Sequence, residues 1–281
     1  MSGINMSEDK SVTDMLVKKE ISFGRRLRKN LLNPTNINGT IAIFGFFVTW
    51  HLLVVLRIPF MKHIPTPLTV LETFIDLVTQ KVYWVSLWFS AKRVFYGFVA
   101  AQVLGIPLGL AMGWSRKFKY LTFPVFEVLR PIPPLAWVPV SILFWPTNEL
   151  SIAFITFIGA FFTIVLNVLR GVSSIDKELY RSALSLGAKP QHIFRKIILP
   201  ASIPSIATGM MVGIGITWNV VIAAEMIAGD KGIGRLTWEG YLAGDTPTII
   251  VGMISIGFAG WISSGIVKII SDRMMPWRKL F

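Results

Sequence analysis

Ser173-Ser174-Ile175-Asp176-Lys177-Glu178-Leu179-Tyr180-Arg181-Ser182-Ala183-Leu184-Ser185-Leu186-Gly187-Ala188-Lys189-Pro190-Gln191-His192-Ile193-Phe194-Arg195-Lys196-Ile197-Ile198-Leu199-Pro200 lies between two apolar runs, 149–169 and 201–228. Within it Asp176 is placed to cap one helix, Gly187 to end it, Pro190 to open a second, and Pro200 to start the next apolar run. Apolar positions 179, 183 and 186 line one face of the first helix, while Lys177, Arg181, Lys189, Arg195 and Lys196 project elsewhere. The spacing predicts a helix, a glycine break and a second helix. Such an elbow on a membrane chain is a docking knob.

The rest of the chain supplies the membrane. A helix needs about 20 residues to cross about 30 Å of hydrocarbon, and runs of that kind fall near 39–57, 94–113, 121–145, 149–169, 201–228 and 247–271. Six spans and an all-α, polytopic fold follow. The 281 residues are 53% apolar and only 15% charged, well under the roughly 25% charged residues of soluble domains. The net charge of +13 lies between oily runs, not as a stripe on a polar surface, which argues against nucleic acid. The absence of cysteine excludes disulfides, thiolate chemistry and Cys-based metal sites.

The third run is interrupted by Arg130-Pro131-Ile132-Pro133-Pro134, because closely spaced prolines remove donors and clash with the preceding turn. Two half-helices are expected there, in protein or around a water-filled cavity. Cytoplasmic loops collect Lys and Arg. With both termini inside, the inner segments hold 20 of the 28 basic residues, seven of them in the tail (Lys10, Lys18, Lys19, Arg25, Arg26, Arg28 and Lys29). Residues 1–37 carry no secretory signal pattern and are expected to stay as a cytoplasmic basic tail, with residues 38–281 as the transmembrane domain. Segments 66–80 and 229–246 are too polar to span; the first has the spacing of an amphipathic helix on the outer surface.

The elbow resembles the coupling motif of binding-protein-dependent ABC importer permeases: Glu-Ala-Ala, three residues, Gly, nine residues, Ile, any residue, Leu-Pro. Gly187, Ile197, Leu199 and Pro200 fall at that spacing. The triplet maps onto Arg181, Ser182 and Ala183, of which only the third matches; Glu178, one turn earlier, can stand in for the acid. The resemblance covers roughly residues 40–277 and is closest to the nitrate, bicarbonate, taurine and aliphatic sulfonate group. Its other motifs are His63-Ile64-Pro65-Thr66-Pro67, Gly105-Ile106-Pro107-Leu108-Gly109, the run Leu129 to Pro139, Ala223-Ala224-Glu225-Met226 with Gly232-Ile233-Gly234, and Met275-Pro276-Trp277. Trp145-Pro146 stands where these permeases often carry Phe-Gly, and Arg181 with the Arg130 to Trp137 run leans toward the taurine-like members.

The resemblance implies a type I ABC importer permease (MetI-like) fold in the inner membrane. It further implies a homodimer with a second permease copy, two cytoplasmic ATPase subunits and an external solute-binding protein. The chain has no G-x-x-x-x-G-K-[ST] loop, so ATP and Mg are expected on the ATPase partners and no cofactor or catalytic residue on this chain. Residues expected to couple to the ATPase are Glu178, Arg181, Ala183, Leu186, Gly187, Ala188, Leu199 and Pro200.

For the translocation pathway or gate the candidates are Arg130, Glu127, Pro133, Trp137, Trp218 and Glu225. Arg130 lies about 17 Å along the helix from Lys119, deep enough for a functional role. It is expected either to offset the charge of an anionic solute or to pair with Glu127, three residues earlier. Glu225, near the outer end of the fifth span, either shapes the outer gate or pairs with Lys231 or Arg235. Trp137, Phe144, Trp145 and Trp218 either close the pathway or pack as interfacial anchors. Gly105, Gly109 and Gly113, like Gly209 and Gly213, form small faces for close packing within the subunit or across a dimer. His51, His63 and His192 are scattered, so no metal site is expected.

Among other function classes, an ion-coupled secondary transporter of a small anion is the alternative. It needs acidic or His residues deep in the spans and usually internal repeats, and it leaves the elbow unexplained. A channel lacks a ring-forming filter sequence, and no catalytic constellation suggests a membrane enzyme.

Overall fold

The computed structural model describes residues 34–61 and 63–275. The seven basic residues of the tail, Lys10 to Lys29, and Pro276-Trp277 of the closing motif lie outside the described residues. Every regular element among the described residues is helical, in two compact units divided between Leu68 and Thr69. The first holds α1 (Pro34–Val55), apolar all round, with Ile41, Phe44, Phe46 and Leu52 exposed as suits a lipid-facing helix.

The second unit opens inside α2 (Pro67–Thr79) and runs on through α3 (Lys81–Trp114), α4 (Arg116–Leu129), α5 (Val138–Phe144), α6 (Asn148–Ser173), α7 (Lys177–Ser185), α8 (Pro190–Ile193), α9 (Leu199–Ala228), α10 (Ile233–Ala243) and α11 (Thr246–Met274). Five described helices, with α8 and α9 run together as one, are long and apolar enough to cross a membrane. The pair α4 and α5, bent by 86°, makes a sixth if taken as one broken span. That bend sits at the expected proline run: α4 stops at Leu129, and the chain resumes as a 3-10 turn at Pro134–Trp137 leading into α5. The amphipathic segment forms α2, held to α3 by the Trp84 indole, which donates to the Val78 carbonyl at 2.8 Å.

The second span differs from the expected 94–113. Its helix begins at Lys81, because the polar residues that dilute the hydropathy of 81–93 point inward. Ser86, Ser90 and Arg93 are buried while Val82, Trp84 and Trp88 face outward.

Helix α6 is the spine, packed along both α3 and α9. Lipid gives apolar side chains no reason to prefer each other, so helices associate through close packing of small residues. A Cβ at Gly109 would lie 2.7 Å from Val168 Cβ and one at Gly113 2.5 Å from Val172 Cβ, both on α6. From α9, Gly209 meets Asn167 at 3.0 Å and Gly213 meets Ile164 at 3.3 Å by the same measure. The small faces therefore serve packing within the subunit.

Toward the end of the bundle where α3 begins and α9 ends, a buried ionic knot joins four elements. Arg93 of α3 and Glu225 of α9 are 2% and 0% exposed. Arg93 Nη1 donates to Glu225 Oε1 at 2.8 Å and to the Lys231 carbonyl. Its Nε donates to Glu149 Oε2 at 3.0 Å and its Nη2 to Glu149 Oε1, at the start of α6. Glu225 Oε2 accepts from Ser90 Oγ at 2.8 Å and from Gly234 N at 2.9 Å, and Ser90 Oγ accepts from Ile233 N at 2.9 Å. Gly232 has φ +130°, and a Cβ there would sit 2.4 Å from the Glu225 carboxyl carbon; only glycine fits both the conformation and the space. The partner of Glu225 is thus Arg93, not Lys231 or Arg235. Lys231 contributes its carbonyl, and Arg235 pairs with Glu239 at 2.8 Å. Glu149, 45% exposed, leaves its share of the negative charge to solvent.

Two outcomes are expected in melts of the purified protein. Gly109→Ala forces α3 off α6 and costs about 1–3 kcal/mol, whereas Gly257→Ala, with nothing within 4 Å of its Cβ position, does not lower the melting temperature. Arg93→Met strands a buried carboxylate and costs about 3–5 kcal/mol; adding Glu225→Gln restores part of it, and Glu149→Gln alone costs much less.

Candidate functional site

The elbow folds as its residues dictate. Asp176 caps α7, its Oδ1 accepting from Glu178 N at 2.9 Å. Gly187, at φ +78°, ends that helix in a left-handed turn: Gly187 N donates to the Leu184 carbonyl at 2.9 Å and Ala188 N to the Ala183 carbonyl at 3.0 Å. This bond pair is a Schellman closure. Pro190 opens α8, which passes through a π-helical segment, Phe194–Ile198, straight into α9. Pro200 therefore does not start a separate helix. It follows the π turn, in which Leu199 N donates to the Phe194 carbonyl, because a proline has no N–H to continue the regular ladder.

The elbow has a buried root and an apolar tip. Ile193 and Ile198 are buried, and the Trp114 ring at the end of α3 meets Tyr180 and Phe194 nearly edge-on, centroids 6.1 and 5.5 Å apart. Leu186 is 88% exposed at the tip, with Leu179 and Leu184 beside it. Glu178, Arg181 and Gly187 are exposed, Ala183 and Ala188 half-buried at the tip, and Leu199 and Pro200 half-buried at the root. A projecting apolar tip rimmed by charge has the make-up of a protein contact.

In the broken span, Arg130 Nη1 lies 3.3 Å from Glu127 Oε1, the two side chains 38% and 43% exposed. The pair leaves both groups open to a further partner. Pro133 is exposed, and Trp137 is half-buried with its ring 6.5 Å from Phe154. Trp145 packs on the same Phe154 ring at 5.7 Å. Trp218 is buried, donates to Ser263 Oγ at 3.1 Å and lies over Gly260, fastening α9 to α11. Among the described residues no hydrogen bond or ion pair joins Arg130 to Trp218 or Glu225. No group of three or more His, Asp or Glu among the described residues is arranged to hold a metal.

Arg93 and Glu149 are the residues that reading the sequence missed. A signal for Arg93 was present: Arg93, Gly97, Ala101, Gly105 and Gly109 recur every four residues, so the small face of α3 extends back through the arginine.

Comparison with known proteins agrees with this geometry. Residues 105–279, which include the broken span and the elbow, match the family described as binding-protein-dependent transport system inner membrane component. A chain of Methanocaldococcus jannaschii named as an ABC transporter permease protein is 44% identical over 192 residues, 68% of this chain and 72% of that one. The nitrate import permease protein NrtB of Synechocystis sp. is 33% identical over 89% of this chain and 95% of its own. The taurine transport system permease protein TauC of Escherichia coli is 29% identical, covering 85% and 88%. In fold, a chain from the inward-facing MetNI methionine ABC transporter superposes with a TM-score of 0.58 at 18% identity, over 72% of this chain and 98% of that one. The family match and the relatives named as permeases establish that the chain belongs to the family of binding-protein-dependent transport system inner membrane components and is a multi-pass permease subunit of an ABC importer.

Proposed function

We propose that the chain takes up a small anion, of the class of nitrate, bicarbonate, taurine or another sulfonate, as one half of a permease homodimer with both termini in the cytoplasm. Two ATPase subunits carry ATP and Mg, and an external binding protein delivers the solute. The observation that carries the reading is the elbow: an apolar tip projecting from a buried root that runs without interruption into a transmembrane helix. The relatives NrtB and TauC, named for nitrate and taurine transport, supply the solute class.

In this reading Leu186, Gly187, Ala183 and Ala188 seat in the ATPase, Glu178 and Arg181 set the charge of the contact, and Leu199 and Pro200 hand the motion to α9. Closure of the ATPase dimer on ATP rocks the two permeases between inward-open and outward-open states. The anion passes along the broken span, where Arg130, restrained by Glu127, offsets its charge, and Pro133 and Trp137 shape the passage. Trp218 and Glu225 serve the gate by fixing α9 against its neighbours. An ion-coupled transporter would need an acid free to load a cation. Here the one carboxylate buried among the described residues, Glu225, is already bonded to Arg93, Ser90 and Gly234.

In proteoliposomes containing the chain with its co-expressed ATPase and binding protein, uptake of labelled nitrate or taurine is expected to need ATP hydrolysis. Uptake driven by an ion gradient without ATP sinks the proposal. Leu186→Asp, at a position 88% exposed, is expected to leave the amount of folded chain unchanged and to weaken ATPase association about tenfold or more. Arg130→Gln keeps that association and lowers anion uptake.

A further inference from the structure

A cleft of about 750 Å³ opens between the turn joining α3 to α4 and the first arm of the elbow. Its walls differ in chemistry from its floor. Arg116, Lys117 and Lys119, from the first turn of α4, and Lys177, from the start of α7, line it as cations. None of the four takes part in an ion pair among the described residues. The acid in the lining, Asp176, is engaged as the cap of α7, and the Lys119 ammonium lies 5.4 Å from the Phe123 ring centroid. Beneath them the floor is apolar, with Met112, Ile193 and Ile198 all buried.

Two observations point to a ligand. The first turn of α4 holds no acidic residue and three cations, the reverse of what the positive end of a helix dipole favours. An anion in the cleft offsets both. The second is depth. Helix α3 has 34 residues, about 51 Å at the α-helical rise, against a bilayer of about 40–45 Å including headgroups. Its last residue, Trp114, is of the type enriched at the interface, which puts the cleft at the level of the headgroups.

We propose that this cleft binds the phosphate headgroup and upper acyl chain of an anionic phospholipid from the cytoplasmic leaflet. The lipid then ties α4, the first half of the broken span, to the elbow. This rests on the cytoplasmic placement of the elbow proposed above, but its test needs neither the ATPase nor transport.

The purified full chain is placed in phosphatidylcholine bilayers, and its association with spin-labelled phosphatidylglycerol is compared with that of spin-labelled phosphatidylcholine. The comparison is repeated with Arg116→Gln/Lys177→Gln, one exposed residue from each wall, and with the charge-matched pair Lys268→Gln/Arg273→Gln, outside the cleft. The expected result is a severalfold preference for phosphatidylglycerol that falls by about fivefold or more in the wall pair and persists in the control pair. No preference in the unsubstituted chain, or equal loss in both pairs, overturns the proposal. So does displacement of the labelled lipid by millimolar inorganic phosphate, which identifies the cleft as a free-anion site.

Discussion

Close approach of α3 and α9 to the two sides of α6 is the constraint on which the rest of the molecule depends. In water, burial of apolar surface would hold three such helices together even with imperfect fit. In lipid that force is largely absent, and cohesion depends on backbones coming near enough for dense van der Waals contact. Gly109 and Gly113 on one side of the spine and Gly209 and Gly213 on the other permit that approach against Val168, Val172, Asn167 and Ile164. Everything assigned to function hangs on this three-helix core: the broken span leads into α6, the elbow connects α6 to α9, and the ionic knot joins all three helices at one end.

The knot and the elbow divide the work of restraint along α9. At one end Glu225 is bonded to Arg93, Ser90 and Gly234, an arrangement that is costly to break because it leaves charge in a low-dielectric setting. At the other, the elbow is held by ring contacts of Trp114 with Tyr180 and Phe194 and by buried isoleucines. Ring contacts and aliphatic packing can slide where a buried ion pair must break. Of the two ends of α9, the elbow end is therefore the one whose contacts can shift without stranding a charge.

Much of this architecture was legible in the residues because local rules and global fold agree. The elbow is the clearest case: Asp176, Gly187 and Pro190 act as cap, break and opener, each for a reason confined to one turn of chain. The proline run at 131–134 likewise breaks its span where it stands, and the amphipathic spacing of 66–80 becomes α2. Less legible were features decided by distant partners. Arg93 reads as a charge just ahead of the apolar run 94–113, and only the arrival of Glu149 and Glu225 from two other helices turns it inward and lets α3 begin at Lys81. Glu225 has Lys231 and Arg235 close in sequence, yet its partner is 132 positions away. Pro200, a boundary residue by local chemistry, sits inside a continuous helix because a π turn takes up the missing donor.

That π turn also bears on the motion that the proposed coupling would send through the elbow. A π segment carries one residue more than the α-helical ladder on either side of it, which offsets the face of α8 from that of α9 by about 100°. Any tightening or loosening of residues 194–198 changes this offset and so turns α9 about its own axis. A displacement entering at the elbow's tip, as the proposed docking of an ATPase there requires, would leave its root as torque. With the far end of α9 tied by Glu225 and Trp218 held against Gly260 and Ser263, such a torque would load the stretch of helix between the π turn and Trp218.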